Sequence, residues 1–179
     1  MLGMISRGTM IEILSQLLKK PVTEDFNLFQ SEFEEIGLVL KQEIASVFKR
    51  SLAIRQVDCG NDNAALIEIA ALSSPYYDIE RFGISFVASP RHADVLMITG
   101  TVTHNMAFSL QKTYHATPSP KFVMAIGDDA CNGGCLQNSY AIAGPVSAFV
   151  PVDVEVPGNP PEPLTIMRAL CLLMKSAHS

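Results

Sequence analysis

The chain has 179 residues, 48% of them hydrophobic and 17% charged, with a formal net charge of −5. That length suits one buried core, and with basic residues gathered no further than Lys19-Lys20 and Lys49-Arg50, no nucleic-acid partner is expected. No run of about eighteen apolar residues occurs, so no membrane-crossing helix is expected, and the start MLGMISRGTMIEI lacks the pattern of a signal peptide.

Residues 9–20 place Met10, Ile13, Leu14, Leu17 and Leu18 at helical spacing, with Lys19 and Lys20 at the end favoured by the helix dipole, and Pro21 stops them. Ser31 and Glu34 form a capping-box pattern for a second amphipathic helix, which lines up Phe33, Ile36, Leu40, Ile44 and Phe48. Residues 1–50 therefore read as an N-terminal helical extension. It is expected to serve at least partly as an attachment element, and residues 51–179 as an α/β domain.

From residue 52 the pattern changes. LAIRQV reads as a strand ending in the loop DCGNDN, and AALIEIAAL as a helix. GISFVAS is a second strand. VLMITG is a buried strand, followed by the loop TVTHN and a helix over AFSLQKTYH. KFVMAIG is another apolar strand, followed by the loop DDACNGGC. A short strand is expected near AFVPVDV, then the turn PGNPP and a closing helix with Pro163 at its start. Continuous apolar strands alternating with helices predict a mostly parallel sheet covered on both faces. In such sheets ligands sit beyond the carboxyl ends of the strands. The loops DCGNDN, GTVTHN, GDDACNGG and PGNPP are thus the candidate functional edge.

No phosphate-binding GxGxxG or GxxxxGK[ST] motif is present. Cys131 and Cys135 lack a second ligand pair, and His92, His104, His115 and His178 show no ligand spacing, so zinc is not expected. The cysteines, Cys59, Cys131, Cys135 and Cys171, read as free thiols, two or three of them buried.

The stretch DIERFGISFVASPRHADVLMITGTVT is more specific. With Ile67-Glu68-Ile69 before it and VPVDVEVPGNPPEP after it, the chain resembles the small-subunit family that carries the terminal iron–sulfur cluster of complex I. Within that family it is most similar to the hydrogenase-like branch found in formate hydrogenlyase and other energy-converting hydrogenases. The resemblance covers residues 55–174. It implies a flavodoxin-like three-layer fold that holds a 4Fe–4S cluster on four cysteines at the sheet edge, and passes electrons to a large subunit.

The branch pattern VDCGxCNGCxIEI aligns without a gap on VDCGNDNAALIEI, which puts two ligand positions at Asp62 and Ala65. Cys59 falls on a cysteine that is not a ligand. The third position falls on Asp129, or on Ala130 if the alignment is anchored on the later Asn-Gly-Gly, and on neither count on Cys131. PGCPP has become PGNPP, so the fourth is Asn159. Ala65 has no donor, and oxygen donors suit hard cations rather than an iron–sulfur core. The resemblance therefore implies a family scaffold with vacated cluster positions.

The expected role is a non-redox structural or assembly subunit of a membrane-associated complex related to complex I or energy-converting hydrogenase. It would dock a large-subunit homologue and other subunits, with no catalytic residue, cofactor or metal of its own. The expected location is cytoplasmic, peripheral to the inner or plasma membrane through its partners. Asp62, Asp129 and Asn159 are expected to hydrogen-bond to loop amides, water or Arg91, with the loops drawn inward. Two alternatives remain open. One is a 4Fe–4S cluster shifted onto Cys59, Cys131 and Cys135. The other is a small-ligand or metal-ion module using Asp58, Asp62, Asp128 and Asp129.

Overall fold

The structure is a computed structural model that describes residues 30–60 and 63–177. The expected helix over 9–20 and the candidate position Asp62 lie outside the described residues. Residues Glu32–Ser179 belong to one compact unit.

Helix α1 (Gln30–Phe48) leads into β1 (Leu52–Asp58), then α2 (Ala64–Leu72), β2 (Ile84–Phe86) and β3 (Val95–Thr99). Next come β4 (Val102–Thr103), α3 (His104–Ala116), β5 (Phe122–Ile126) and the short α4 (Asp128–Asn132). The chain ends with β6 (Ile142–Gly144), β7 (Val154–Val156) and α5 (Pro163–Ser176). Five strands form one sheet in the order β2-β1-β3-β5-β7, with every neighbouring pair parallel. Counting only those strands, the order is 2-1-3-4-5, the doubly wound flavodoxin-like arrangement with its switch point between β1 and β3. The predicted three-layer α/β fold is observed.

Parallel strands covered on both faces need continuous apolar sequence. Val95, Leu96, Met97 and Ile98 of β3, and Val123, Met124, Ala125 and Ile126 of β5, are all buried. Alternation along each strand sends these side chains into two cores. One core packs Val95, Met97, Met124 and Ile126 against α1, α2 and α5 through Leu40, Ile44, Ala65, Ile69, Leu170 and Leu173. The other packs Val57, Leu96, Ile98 and Val123 against α3 and α4 through Leu110 and Ala130. Each large side chain so buried contributes about 1.5–3 kcal/mol. Helix α1 belongs to the first core: Phe33 sits edge-on to Phe82 at 5.9 Å, and Gly37 lies directly over the Phe82 ring.

Two aspartates tie strand beginnings together. Asp94, just before β3, accepts two hydrogen bonds from Arg50, at 2.6 and 3.0 Å, and one from the Ala53 amide at 3.0 Å. Asp153, before β7, accepts from the Val123 amide at 2.7 Å.

Several local expectations are corrected. GISFVAS yields only the three-residue edge strand β2, because Ser89 and Pro90 turn the chain into a 3-10 turn over Pro90–His92. The strand expected near AFVPVDV falls later, at Val154–Val156. Val146–Ala148 is a 3-10 turn, and Pro151, which has no amide hydrogen for a ladder, separates the two. DDACNGGC is not plain loop: it forms α4, ended by Gly133 at φ 92°, and a 3-10 turn over Gly134–Leu136. Within TVTHN, β4 pairs antiparallel with β6, and Thr103 Oγ1 caps α3 by accepting from the Met106 amide at 3.3 Å. Helix α1 begins at Gln30, one residue before the capping-box Ser31.

Candidate functional site at the carboxyl edge of the sheet

Four chain segments meet where the parallel strands end. After β1, Asp58 Oδ1 accepts from the Gly60 amide at 3.1 Å, and Asn63, at φ 80°, starts α2. After β3, Gly100 adopts φ 74°, which its lack of a Cβ permits. After β5 come Gly127, Asp128 and Asp129. After β7 comes the turn Pro157-Gly158-Asn159-Pro160.

These segments enclose a crevice lined by Ala65, Gly100, Ile126, Gly127, Asp128, Asp129, Gly158, Asn159 and Pro160. Ala65, Asp129 and Asn159, singled out from the sequence in three separate segments, therefore line one site. Asp62, the fourth position, lies outside the described residues. Ala130, the alternative to Asp129, is buried in the second core.

The crevice has a volume of only about 10 Å³, roughly the space of one water molecule. A reciprocal pair of hydrogen bonds closes it. The Asp128 amide donates to the Gly158 carbonyl at 2.9 Å, and the Gly158 amide donates to Asp128 Oδ1 at 2.9 Å. The Gly127 amide also donates to Val156 O at 2.8 Å. Asp129 leans on the next turn: a Cβ built on Gly134 would lie 1.6 Å from its Oδ1. The bond to the proline turn thus comes from Asp128 rather than Asn159, which is exposed, as is Arg91. A Gly-Asp pair directly after an apolar strand was the sequence signal for Asp128; its partner 30 residues on was not visible there. Beneath the crevice, Thr99 and Thr101 flank Gly100, and both hydroxyls are fully buried without a protein partner among the described residues.

The cysteines lie elsewhere. Cys59 is buried in the core on the α3 side of the sheet, and Cys131 packs against that core with its Sγ 3.7 Å from Ala125 O. Burial, aided by the neighbouring Asp58 charge, pushes the Cys59 thiol up to about 12. Burial, with Glu155 nearby, pushes Cys131 up to about 11. Cys135 is exposed, and Cys171 is buried under α1. Among the described residues no group of three His, Cys, Asp or Glu side chains is placed to hold a metal ion. No helix among them is long and apolar enough to cross a membrane.

Residues 63–173 match the family described as NADH ubiquinone oxidoreductase, 20 Kd subunit. The chain belongs to this family. Among individual relatives, formate hydrogenlyase subunit 7 of Escherichia coli is 40% identical over 78% of the chain. The match spans just over half, 56%, of that protein's length. The probable membrane-bound hydrogenase subunit mbhJ of Pyrococcus furiosus is 40% identical, over 76% of this chain and 83% of its own. Among solved structures, a chain of the membrane-bound sulfane sulfur reductase, an archaeal respiratory membrane complex, superposes with a TM-score of 0.65 at 33% identity. That match covers 77% of this chain and 75% of the other. A chain of the [NiFeSe] hydrogenase from Desulfovibrio vulgaris Hildenborough matches in fold, with a TM-score of 0.55 at 16% identity over 74% and 62% of the two chains. This member of the 20 Kd family thus keeps the family's α/β scaffold, and Ala65, Asp129 and Asn159, which line its crevice, carry no sulfur.

Proposed function

We propose that this family member is a non-redox structural or assembly subunit of a membrane-associated complex related to complex I or an energy-converting hydrogenase, docking a large-subunit homologue at the carboxyl edge of its sheet. The crevice carries the reading. Its alignment positions Ala65, Asp129 and Asn159 offer a methyl group and oxygens where an iron–sulfur core needs thiolates. Its volume of about 10 Å³ suits one water rather than a cuboidal cofactor. The residues present do not fit a 4Fe–4S cluster.

A cluster shifted onto Cys59, Cys131 and Cys135 gains no support from the geometry. Two of those sulfurs are committed to the core on the α3 side, whereas Ala65 of the crevice belongs to the core on the other side. Docking is supported by large exposed side chains on segments leaving the same edge: Ile67 at 61% exposure, Leu136 at 49% and Tyr140 at 96%. Two of the named relatives, mbhJ and the sulfane sulfur reductase chain, are described as parts of membrane-bound assemblies, and attachment through such partners would place the chain at a membrane surface.

The test is native co-purification with mass spectrometry, joined to iron and labile-sulfide analysis under anaerobic conditions. Capture of a large-subunit homologue by a colourless, iron-free chain is expected. A brown protein with stoichiometric iron and sulfide refutes the non-redox role, and absence of any large-subunit homologue refutes the docking role.

A further inference from the structure

Two reciprocal clasps hold β5 and β7 together, one at each end. At the amino end, Asp153 accepts from the Val123 amide at 2.7 Å and its own amide donates to Val123 O at 2.9 Å. At the carboxyl end, Asp128 makes the same paired contact with Gly158, at 2.9 Å in both directions. The first extends a sheet edge remote from the crevice. The second lies inside it.

The turn that Asp128 holds has little freedom of its own shape. Gly158 sits at φ 141°, and a Cβ there would come within 2.7 Å of Pro161 Cα and 2.8 Å of its nitrogen. Only glycine fits, so its amide is presented in one direction, toward the Asp128 carboxylate. Among the described residues no strand lies on the outer side of the turn, because β7 is the last strand of the sheet. In a protein with a cofactor at this edge, ligand bonds would tie the loops to one another. Here the loop after β5 and the turn after β7 are joined by the carboxylate and amide of one residue.

We propose that Asp128 is the positioning residue of the docking edge: by clasping Gly158 it fixes the Asn159-Pro160 turn in the shape presented to the partner. This inference rests on the docking role proposed above. A hydrogen bond to a charged acceptor is strong enough to hold a turn of this size, since its loss opens the local amide by about tenfold.

The experiment compares Asp128→Ala, Asp128→Asn and Asp153→Ala in the full chain, co-expressed with the large-subunit homologue that co-purifies with the wild type. Two quantities are read: hydrogen exchange at the Gly158 amide and the fraction of chain retained with the partner. Asp128→Ala is expected to speed Gly158 exchange about tenfold and to lower retention. Asp128→Asn, whose amide oxygen still accepts, is expected to restore both. Asp153→Ala, equally placed to weaken the β5–β7 pair but at its far end, should leave retention near wild type. Unchanged Gly158 exchange in Asp128→Ala overturns the clasp. Equal loss of retention in Asp128→Ala and Asp153→Ala overturns its positioning role, because general destabilisation would then explain both. If the wild-type chain retains no partner, the docking role fails instead, and the exchange data still decide the clasp.

Discussion

Gly37 gives a test of whether α1 belongs to the folded core. Replacing glycine by alanine inside a helix ordinarily stabilises by about 1 kcal/mol, because alanine has less backbone freedom to lose. At Gly37 the new Cβ would lie 2.3 Å from Phe82 Cζ and 2.5 Å from both Cε atoms. The ring has little room to retreat, being 4% exposed and packed edge-on by Phe33 at 5.9 Å. Overpacking of this kind costs about 1–3 kcal/mol, so Gly37→Ala should lose about 1 kcal/mol net despite its better helix propensity. Leucine lacks all three of the clashing atoms. In a Phe82→Leu background the same Gly37→Ala change should therefore become neutral or stabilising, with a coupling of about 1–2 kcal/mol between the sites. Urea unfolding followed by circular dichroism measures the cycle, provided the slope with denaturant stays constant. A stabilising Gly37→Ala in the otherwise wild-type chain would falsify the seating of α1 on Phe82.

Asp94→Ala should cost about 2–4 kcal/mol in the same assay, because it strands the Ala53 amide and breaks the paired contact with Arg50; a loss below about 0.5 kcal/mol would show that water replaces those bonds. Thr99→Val removes a buried hydroxyl that lacks a protein partner among the described residues. It should be neutral or stabilising by up to about 1 kcal/mol, and clear destabilisation would mean that the hydroxyl is satisfied in solution. The Cys59 thiol, raised from 9.0 to about 12, makes stability depend on alkaline pH. The folded state holds this proton more tightly than the unfolded one, so the contribution is complete below pH 9 and lost as pH rises toward 12. Cys59→Ala should flatten that alkaline decline in unfolding midpoints. In the native protein a thiol reagent should label exposed Cys135 rapidly and Cys59 only after unfolding.

The sheet was legible because its signal is local. VLMI within VLMITG and FVMAI within KFVMAIG are unbroken apolar runs, as strands buried on both faces require, and AALIEIAAL places Ala65, Ile69 and Leu72 on one helical face. The family resemblance located Ala65, Asp129 and Asn159, residues far apart in the chain, and these line one crevice. What stayed hidden depends on contacts between distant segments. The two-residue strand Val102–Thr103 exists only because Gly144 and Ile142 return to pair with it. Nothing within TVTHN marks it. The helical turn of Asp128–Asn132 is too short to show a period. Asp128 and Asp129 are chemically identical neighbours in the sequence. Only the tertiary structure brings Gly158 to the first, so that its carboxylate ties the edge together, and sets the second against Gly134. Sequence alone thus determined which strands are buried and which loops converge, because apolar pattern and loop order are properties of the chain. The closing of the crevice to about the volume of one water was decided by tertiary structure, because it depends on how four loop backbones settle against one another.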